Sequence, residues 1–476
     1  MPFALLSQPG TWVSVYGGDQ YDRGKGIAQT FDKGYIVCAS SSSYGAGTTD
    51  FYLLKIDSAG KYQWQNTFGG LNIENAFCVK QTLDSGFVIC GYTNSFGNGG
   101  YDAYLVKTDP QGNLQWERSY GTGDWDFTYW VEQTNDDGFI LAGESYGFGN
   151  NTQAWLIKTD ADGDTLWTRA FGSPETDDFK EVHQTIDHGF IAAGTTTGTS
   201  GDKDFYLVKT DSAGNTKWEK SYGGSGDDVC SSVSVCADGS YLLGGSANIG
   251  GVNKIYYLKT DSSGAVLVAN VDTPSTGEKS VSRICESFDG QIVTLVNSNV
   301  GGFGGKEIFL VKWTSIWSLW VRTFGGTKDE EGYDLVQTAD SGFALVGYTS
   351  TFGKGPDNIF MAKTRSDGGY LSTTHIFVGT NDLPEEKNNT VVYPNPCSGS
   401  IFLRFDNTFL NSKHELNFSV SDLSGKIIFS KDLIVPSSSG ESYHLEVPSE
   451  SFSSGVYIAA FNSGSKTFHK KIIFVK

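Results

Sequence analysis

The chain has 476 residues, with Gly at 60 positions, aromatic residues at 14% and charged residues at only 19%. Its formal charge is −19, and because residues 391–476 hold 8 Lys/Arg against 7 Asp/Glu, the acidity lies in the part before them. So acidic a body repels nucleic acid and anionic lipid, the absence of a long apolar run excludes a helical membrane span, and the composition favours short strands and turns over helices.

The opening residues, MPFALLSQPGTW, have no basic region and no long apolar stretch, so they are not a signal peptide. The chain reads either as a mature or trimmed form or as one that stays inside the cell. An isolated strand follows at Gly10–Tyr16, carrying Trp12. From there a unit repeats. In the stretch from Trp116 to Lys158, WERSYGTG is a strand with a Gly-rich loop, DFTYWVEQT a second strand and NDDG a turn. FILAGESY is a third strand, GFGNNT a loop and QAWLIKTD a fourth strand. Short strands joined by Gly, Asn and Asp turns form an antiparallel meander.

Tryptophan recurs at 12, 64, 116, 167, 218 and 320, with Val268 in the one gap. The fourth strand carries Lys at 55, 107, 158, 209, 259, 312 and 363, and the turn before the third strand carries Asp at 32, 84, 136, 187, 238, 289 and 340. A period of about 50–52 residues marks a repeat architecture. Seven four-stranded sheets that cannot bury both faces alone predict an all-β, seven-bladed β-propeller. An open solenoid is the alternative, but solenoid coils are shorter and need caps. The strand at Trp12 is expected to complete the last blade; Tyr370–Phe377 competes for that place but has Ser372 where the tryptophan belongs. The sixth unit, with Val268 and Trp313 at odds with the pattern, is the most divergent.

The expected division is therefore a propeller over 1–377, a polar linker over 378–390 and a separate domain over 391–476. Seven scattered cysteines with no CxxC pair predict buried thiols, not a disulfide framework.

KTDPQGNLQW, ending on Trp116, resembles the tryptophan-docking turn of quinoprotein-like and kelch-like propellers. That resemblance implies a structural role for Trp12, Trp64, Trp116, Trp167, Trp218 and Trp320, locking blade to blade. No quinone chemistry is carried over, because vicinal cysteines and a cofactor pocket are not evident. The spacing differs from the sialidase Asp-box, and arginines are few.

An acid recurs at the start of the second strand of six units: Asp22, Glu74, Asp126, Asp177, Asp228 and Glu330, with Lys279 in the remaining one. If that strand is innermost, these form a ring at one mouth of the channel, fit to hold a cation such as calcium or a cationic ligand. The alternative is that each carboxylate caps its own loop. Trp125, with Tyr146 and Phe148 in the same loops, is placed to stack on a sugar ring. No cofactor is otherwise expected. GxSxG, HExxH and zinc spacings are missing, His183 and His188 have no cysteine beside them, and acidic pairs such as Asp177–Asp178 and Asp227–Asp228 are too common for any one to stand out.

The most specific stretch is the last. VVYPNPCSGSIFLRF, then LNFSVSDLSGKIIFSKDL, then SSGVYIAAFNSGSKTFHKKIIFVK resemble the type A C-terminal sorting domain of the type IX secretion system. The matching positions are Tyr393, Pro394, Asn395, Pro396 and Gly399, the turn from Asp422 to Lys426, and Gly455, Val456 and Tyr457 before a final strand with Lys470 and Lys471. The resemblance implies a small Ig-like β-sandwich, export across the outer membrane of a Gram-negative bacterium, and release or anchoring at the cell surface. That route begins with a signal peptide, so truncation at the start is expected.

The functional expectation is a secreted or surface-bound, non-catalytic, monomeric propeller that binds a glycan, a cation or another surface protein and engages the type IX secretion machinery. One alternative is an extracellular polysaccharide-active enzyme using an Asp/Glu pair among Asp124, Asp126 and Asp177. Another is a purely structural adhesin, with the propeller as a rigid spacer.

Overall fold

Short strands separated by Gly and Asp turns, the middle two of each blade largely buried along their length, pair into antiparallel meanders, and in a computed structural model these are seven sheets around one axis. The structure describes residues 10–370 apart from 150, 199, 272–276, 301–303 and 315–317, together with 374–375, 391–393, 400–404, 415–421, 426–434, 442–446, 452, 455–463 and 466–474. The described residues contain no helix. The chain divides into two units, 1–382 and 383–476.

β1 (Trp12–Tyr16) precedes the first blade, which is β2 (Asp22–Gln29), β3 (Tyr35–Ser41), β4 (Asp50–Ile56) and β5 (Tyr62–Phe68) in that spatial order. Five more four-stranded blades follow, with inner strands Glu74–Gln81, Asp126–Gln133, Asp177–Gln184, Asp228–Val235 and Lys279–Glu286. The seventh blade takes Glu330–Gln337, Phe343–Thr349 and Asn358–Thr364 and completes itself with β1, Trp12 opposite Lys363 and Tyr16 opposite Ile359. The strand Thr374–His375 adds outside β1, parallel to it at Val13 and Ser14. Both segments that compete for closure thus join one sheet, and the tryptophan strand takes the fourth place.

The seventh blade lies against the first. The Ala339 N–H donates to Gln29 at 2.8 Å, the Ile27 N–H donates to Asp334 at 3.0 Å, and Arg23 donates to Asp357 at 2.7 Å. The ring is closed.

Two repeated devices hold it. The first is tryptophan docking: Trp12 lies over Gly60, Trp64 over Gly112, Trp116 over Gly163, Trp167 over Gly214, Trp218 over Gly264 and Trp320 over Gly368. These six glycines have φ between +73° and +80°, so a side chain there is strained as well as blocked by indole. Tyrosine hydroxyls reinforce three of the joints, Tyr16 donating to the Gly60 carbonyl, Tyr120 to that of Gly163 at 2.6 Å and Tyr222 to that of Gly264 at 2.7 Å.

The second device is an ion pair within each blade. Lys55, Lys107, Lys158, Lys209, Lys259, Lys312 and Lys363 reach Asp32, Asp84, Asp136, Asp187, Asp238, Asp289 and Asp340 at 2.7–3.2 Å. The lysine stems cover sheet while the ammonium finds its carboxylate. Divergence does not dissolve the sixth unit: Trp313 turns its indole N–H to the Thr294 hydroxyl at 2.9 Å, and the sheet keeps four strands. Cys38, Cys78, Cys90, Cys230 and Cys236 are buried free thiols, and Cys285 is free and partly buried.

In the second unit, Val391–Tyr393, Ser400–Arg404 and Ser442–Glu446 make a three-stranded antiparallel sheet, and Glu415–Ser421, Ile427–Ile434, Gly455–Ser463 and Lys466–Phe474 a four-stranded one. Phe418, Val420, Leu433, Phe452, Tyr457 and Ala459 are buried in it. Tyr393 is on the first of these strands, Gly455 and Tyr457 open the sixth in sequence, and Lys470 and Lys471 lie on the last. Pro394, Asn395, Pro396, Gly399 and the 422–425 segment fall outside the described residues.

Candidate functional site

All seven inner strands share one irregularity. The pairing to the next strand skips a residue between Gly24 and Gly26, Ala76 and Cys78, Thr128 and Trp130, Phe179 and Glu181, Cys230 and Ser232, Val281 and Arg283, and Gly332 and Asp334. A β-bulge leaves one residue unpaired and re-aims its side chain. The unpaired residues are Lys25, Phe77, Tyr129, Lys180, Ser231, Ser282 and Tyr333, and all seven line a single cavity of about 400 Å³. Seven blades thus deliver one side chain each to a ring inside the central channel.

That ring has a charged, aromatic side and a hydroxyl side. Going round, Lys25 Nζ lies 3.4 Å from the Tyr333 ring centroid and 5.9 Å from that of Phe77. Phe77 meets Tyr129 edge to face at 5.1 Å, and Lys180 Nζ sits 4.0 Å from the Tyr129 centroid. Ser231 and Ser282 complete the circle, with Ser280 and Asn297 nearby. A cation over an aromatic face is held by the ring quadrupole, more strongly as water is excluded. Burial, with Arg23 adding repulsion, lowers the Lys25 pKa to about 8.

Beside the ring lies a buried polar network. His183 is clamped between Glu132 and Glu181, each at 2.6 Å. Glu181 also accepts from Arg283, from the Ser232 hydroxyl at 2.9 Å and from the Val233 N–H at 3.0 Å. Arg283 reaches Asp334 at 3.2 Å and lies 4.3 Å from the Trp130 ring centroid, which Lys80 approaches at 3.9 Å. Burial disfavours the charge on His183, yet the two carboxylates outweigh it and push its pKa up to about 10. Burial likewise opposes ionisation of Glu181, but Arg283 and His183 bring it down to about 2. An imidazolium held this way has no lone pair to offer as a base.

Above the ring, aromatic side chains continue to the surface. Tyr92 lies 5.8 Å from Phe77 and 4.9 Å from Phe127; Tyr101 follows 5.2 Å from Tyr92, Trp125 5.6 Å from Tyr101, and Tyr146 5.9 Å from Trp125. Trp125 is 50% exposed and Tyr146 40%. The band runs from open solvent to the channel ring without a break, using loops and strands of two adjacent blades.

The expected ring of acids is different. Asp22, Glu74, Asp126, Asp177, Asp228 and Glu330 are at most 4% exposed. Each accepts the backbone N–H four residues before it: Gly18, Gly70, Thr122, Ser173, Gly224 and Gly326, at 2.5–2.9 Å. Asp22, Glu74, Asp126 and Glu330 take a hydroxyl as well, from Ser43, Thr93, Thr122 and Thr349. These carboxylates cap the loops that join blades, which is the alternative named above beside a cation-holding mouth. Asp126 and Asp177 are both among these buried caps. No group of three or more metal-donor side chains gathers among the described residues. His188 sits in a turn at positive φ, its ring 3.4 Å from Asn135. Trp125 and Tyr146 stand at the outer end of the aromatic band, while Phe148 turns toward Trp155 at 6.2 Å.

Lys25, Phe77, Tyr129, Lys180, Arg283 and Tyr333 escaped the sequence reading, which weighted what recurs. The available signal was the reverse one. Three places after the strand-opening residue, the seven units read Lys, Phe, Tyr, Lys, Ser, Ser, Tyr, and a position that diverges on an otherwise uniform strand is free to specialise.

Residues 391–476 match the family described as the secretion system C-terminal sorting domain. They carry the sorting signal of the type IX route, so the protein is secreted or held at the surface of a Gram-negative bacterium, and its export links it to that machinery. No curated protein matches the chain. Similar solved structures include PorZ, a surface component of the type IX secretion system of Porphyromonas gingivalis, at 13% identity and TM-score 0.43, covering 100% of this chain and 61% of that one. The Pan2 WD40 domain of Neurospora crassa has 9% identity and TM-score 0.43, covering 74% and 91%. The propeller domain of the Trilobed protease of Pyrococcus furiosus has 8% identity and TM-score 0.39, covering 75% and 95%. The chain spans 61% of the PorZ chain's length.

Proposed function

We propose that this exported propeller is a non-catalytic carbohydrate-binding module whose ligand lies along the aromatic band and ends in the channel ring. In this reading residues 1–377 are the binding propeller, 378–390 a linker and 391–476 an Ig-like export domain. The observation that carries it is the continuity of the band, from Trp125 and Tyr146 in solvent through Tyr101, Tyr92 and Phe77 to Tyr129 in the channel. Flat, amphipathic rings in a row suit the apolar faces of successive sugar rings, while the hydroxyls and amide beside them suit sugar hydroxyls. Nucleobases also stack on such platforms, but a chain of net charge −19 repels their phosphates.

The test is a glycan array probed with the full chain and with Trp125→Ala. Wild-type protein binds a subset of oligosaccharides, and the variant binds the same subset about five- to tenfold more weakly, one lost stacking contact being worth about 1–1.5 kcal/mol. Equal binding by both proteins, or none by either, overturns the reading.

A further inference from the structure

We infer that the channel ring selects an anionic sugar residue, one bearing a carboxylate or a sulfate ester, with its charged group against Lys25 and its ring on Phe77 and Tyr129; this rests on the carbohydrate reading above. Five charged side chains line the cavity: Lys25, Lys180, Arg283, Glu331 and Asp334. Four have partners in the protein. Glu331 pairs with Lys306 at 2.6 Å and accepts from the Tyr333 hydroxyl at 2.9 Å. Asp334 takes the Ile27 N–H at 3.0 Å and Arg283 at 3.2 Å. Arg283 is bound to Glu181, and Lys180 reaches Asp178 at 3.2 Å. Lys25 has no carboxylate within salt-bridge distance among the described residues, and its ammonium faces two aromatic rings instead.

A cation partly withdrawn from water with no carboxylate in contact, only the more distant attraction of Glu331, is costly, and here it sits where a ligand would arrive. With Asp178, Glu181 and Lys306 counted as the partners named above, the other four charges of the lining are in contact pairs, which leaves Lys25 as the cation that can receive an anion. An anion entering the ring gains a charge-assisted contact to Lys25 that a neutral ligand does not. The serines on the far side, Ser231, Ser280 and Ser282, supply hydroxyl donors that serve either a carboxylate or a sulfate.

The experiment is calorimetric titration of the full chain with a galacturonic acid oligomer, its neutral methyl ester, a galactose oligomer and its sulfated form, repeated with Lys25→Met, Lys25→Arg and Lys180→Met. Wild type is expected to bind at least one charged member at least tenfold more tightly than its neutral counterpart, and which one identifies the anion. Lys25→Met reduces that ratio to under twofold while neutral binding stays within twofold, and Lys25→Arg keeps the preference. Lys180→Met, whose lysine already has a carboxylate, retains more than half of the preference on a logarithmic scale. If charged and neutral oligomers bind wild type equally, anion selection is wrong and carbohydrate binding stands. If none of the four binds while the array shows other glycans that do, anion selection is also wrong; if nothing binds in either assay, both fall.

Discussion

The Lys25 ammonium lies 3.4 Å from the centroid of the Tyr333 ring, the two residues occupying the same bulge in the first and last blades. The pair joins the blades across the closure of the ring and places a charge in the channel. Losing the aromatic face removes a contact worth about 1–2 kcal/mol when desolvated. Tyr333→Leu is therefore expected to lower the Lys25 pKa further, from about 8 by up to roughly one unit. NMR titration of isotopically labelled lysine measures it. An unchanged pKa contradicts the contact.

Much of the scaffold is visible in the sequence because it is repeated. Trp64 with Gly112, or Lys107 with Asp84, can be found by aligning units, since each partner recurs at a fixed offset. The channel ring does not recur as a pair and shows only as a position, three after the strand opening, at which the aligned units differ. Its orientation depends on a bulge, and the skipped pairing at Lys25 or Tyr129 leaves no mark in the residue alternation of an inner strand. The acid at the head of six of the seven inner strands, by contrast, is conspicuous because it is repeated, and repetition there reflects a capping job done in each of those loops. The aromatic band draws on residues of two blades and on loops that differ from unit to unit, so no periodic signal points to it.

The ion pair of the seventh blade separates burial from pairing. Lys363 is 2% exposed and depends on Asp340 and the Thr364 carbonyl. Asp340→Asn is expected to cost about 3 kcal/mol, because it strands a buried ammonium, whereas Lys363→Met combined with Asp340→Asn recovers at least half of the loss. Equilibrium unfolding in denaturant gives both values. A double variant no better than the single one refutes the argument.

His183 makes stability depend on pH. Its pKa rises from about 6.5 to about 10 on folding, so its contribution is complete below about pH 6.5 and disappears as pH climbs through 10. Glu181, lowered to about 2, contributes above its ordinary value near 4.5 and loses that contribution as pH falls toward 2. The stability difference between wild type and His183→Gln is therefore expected to be largest between about pH 5 and 6.5 and to shrink steadily to pH 10. Thermal unfolding of both proteins across that range tests it; a pH-independent difference contradicts the clamp.

Closure by β1 rests on Trp12, whose indole N–H donates to the Ser58 carbonyl at 3.1 Å and whose ring covers Gly60. Trp12→Ala is expected to cost about 3 kcal/mol and to expose the seventh blade first. Hydrogen exchange should then show amides of Asn358–Thr364, the strand paired with β1, losing protection before those of Gln153–Thr159 in the third blade. Uniform loss across all blades would contradict closure through this joint.

The claim that the ligand follows the aromatic band into the channel is tested most directly by side-chain footprinting. Hydroxyl-radical labelling of the full chain, with and without an oligosaccharide selected on the array, reads each aromatic separately. The account predicts protection of Trp125, Tyr101 and Tyr129 together, with the blade-docking Trp116 and Trp167 unchanged; protection confined to Trp125 and Tyr146, or absent at Tyr129, would contradict it.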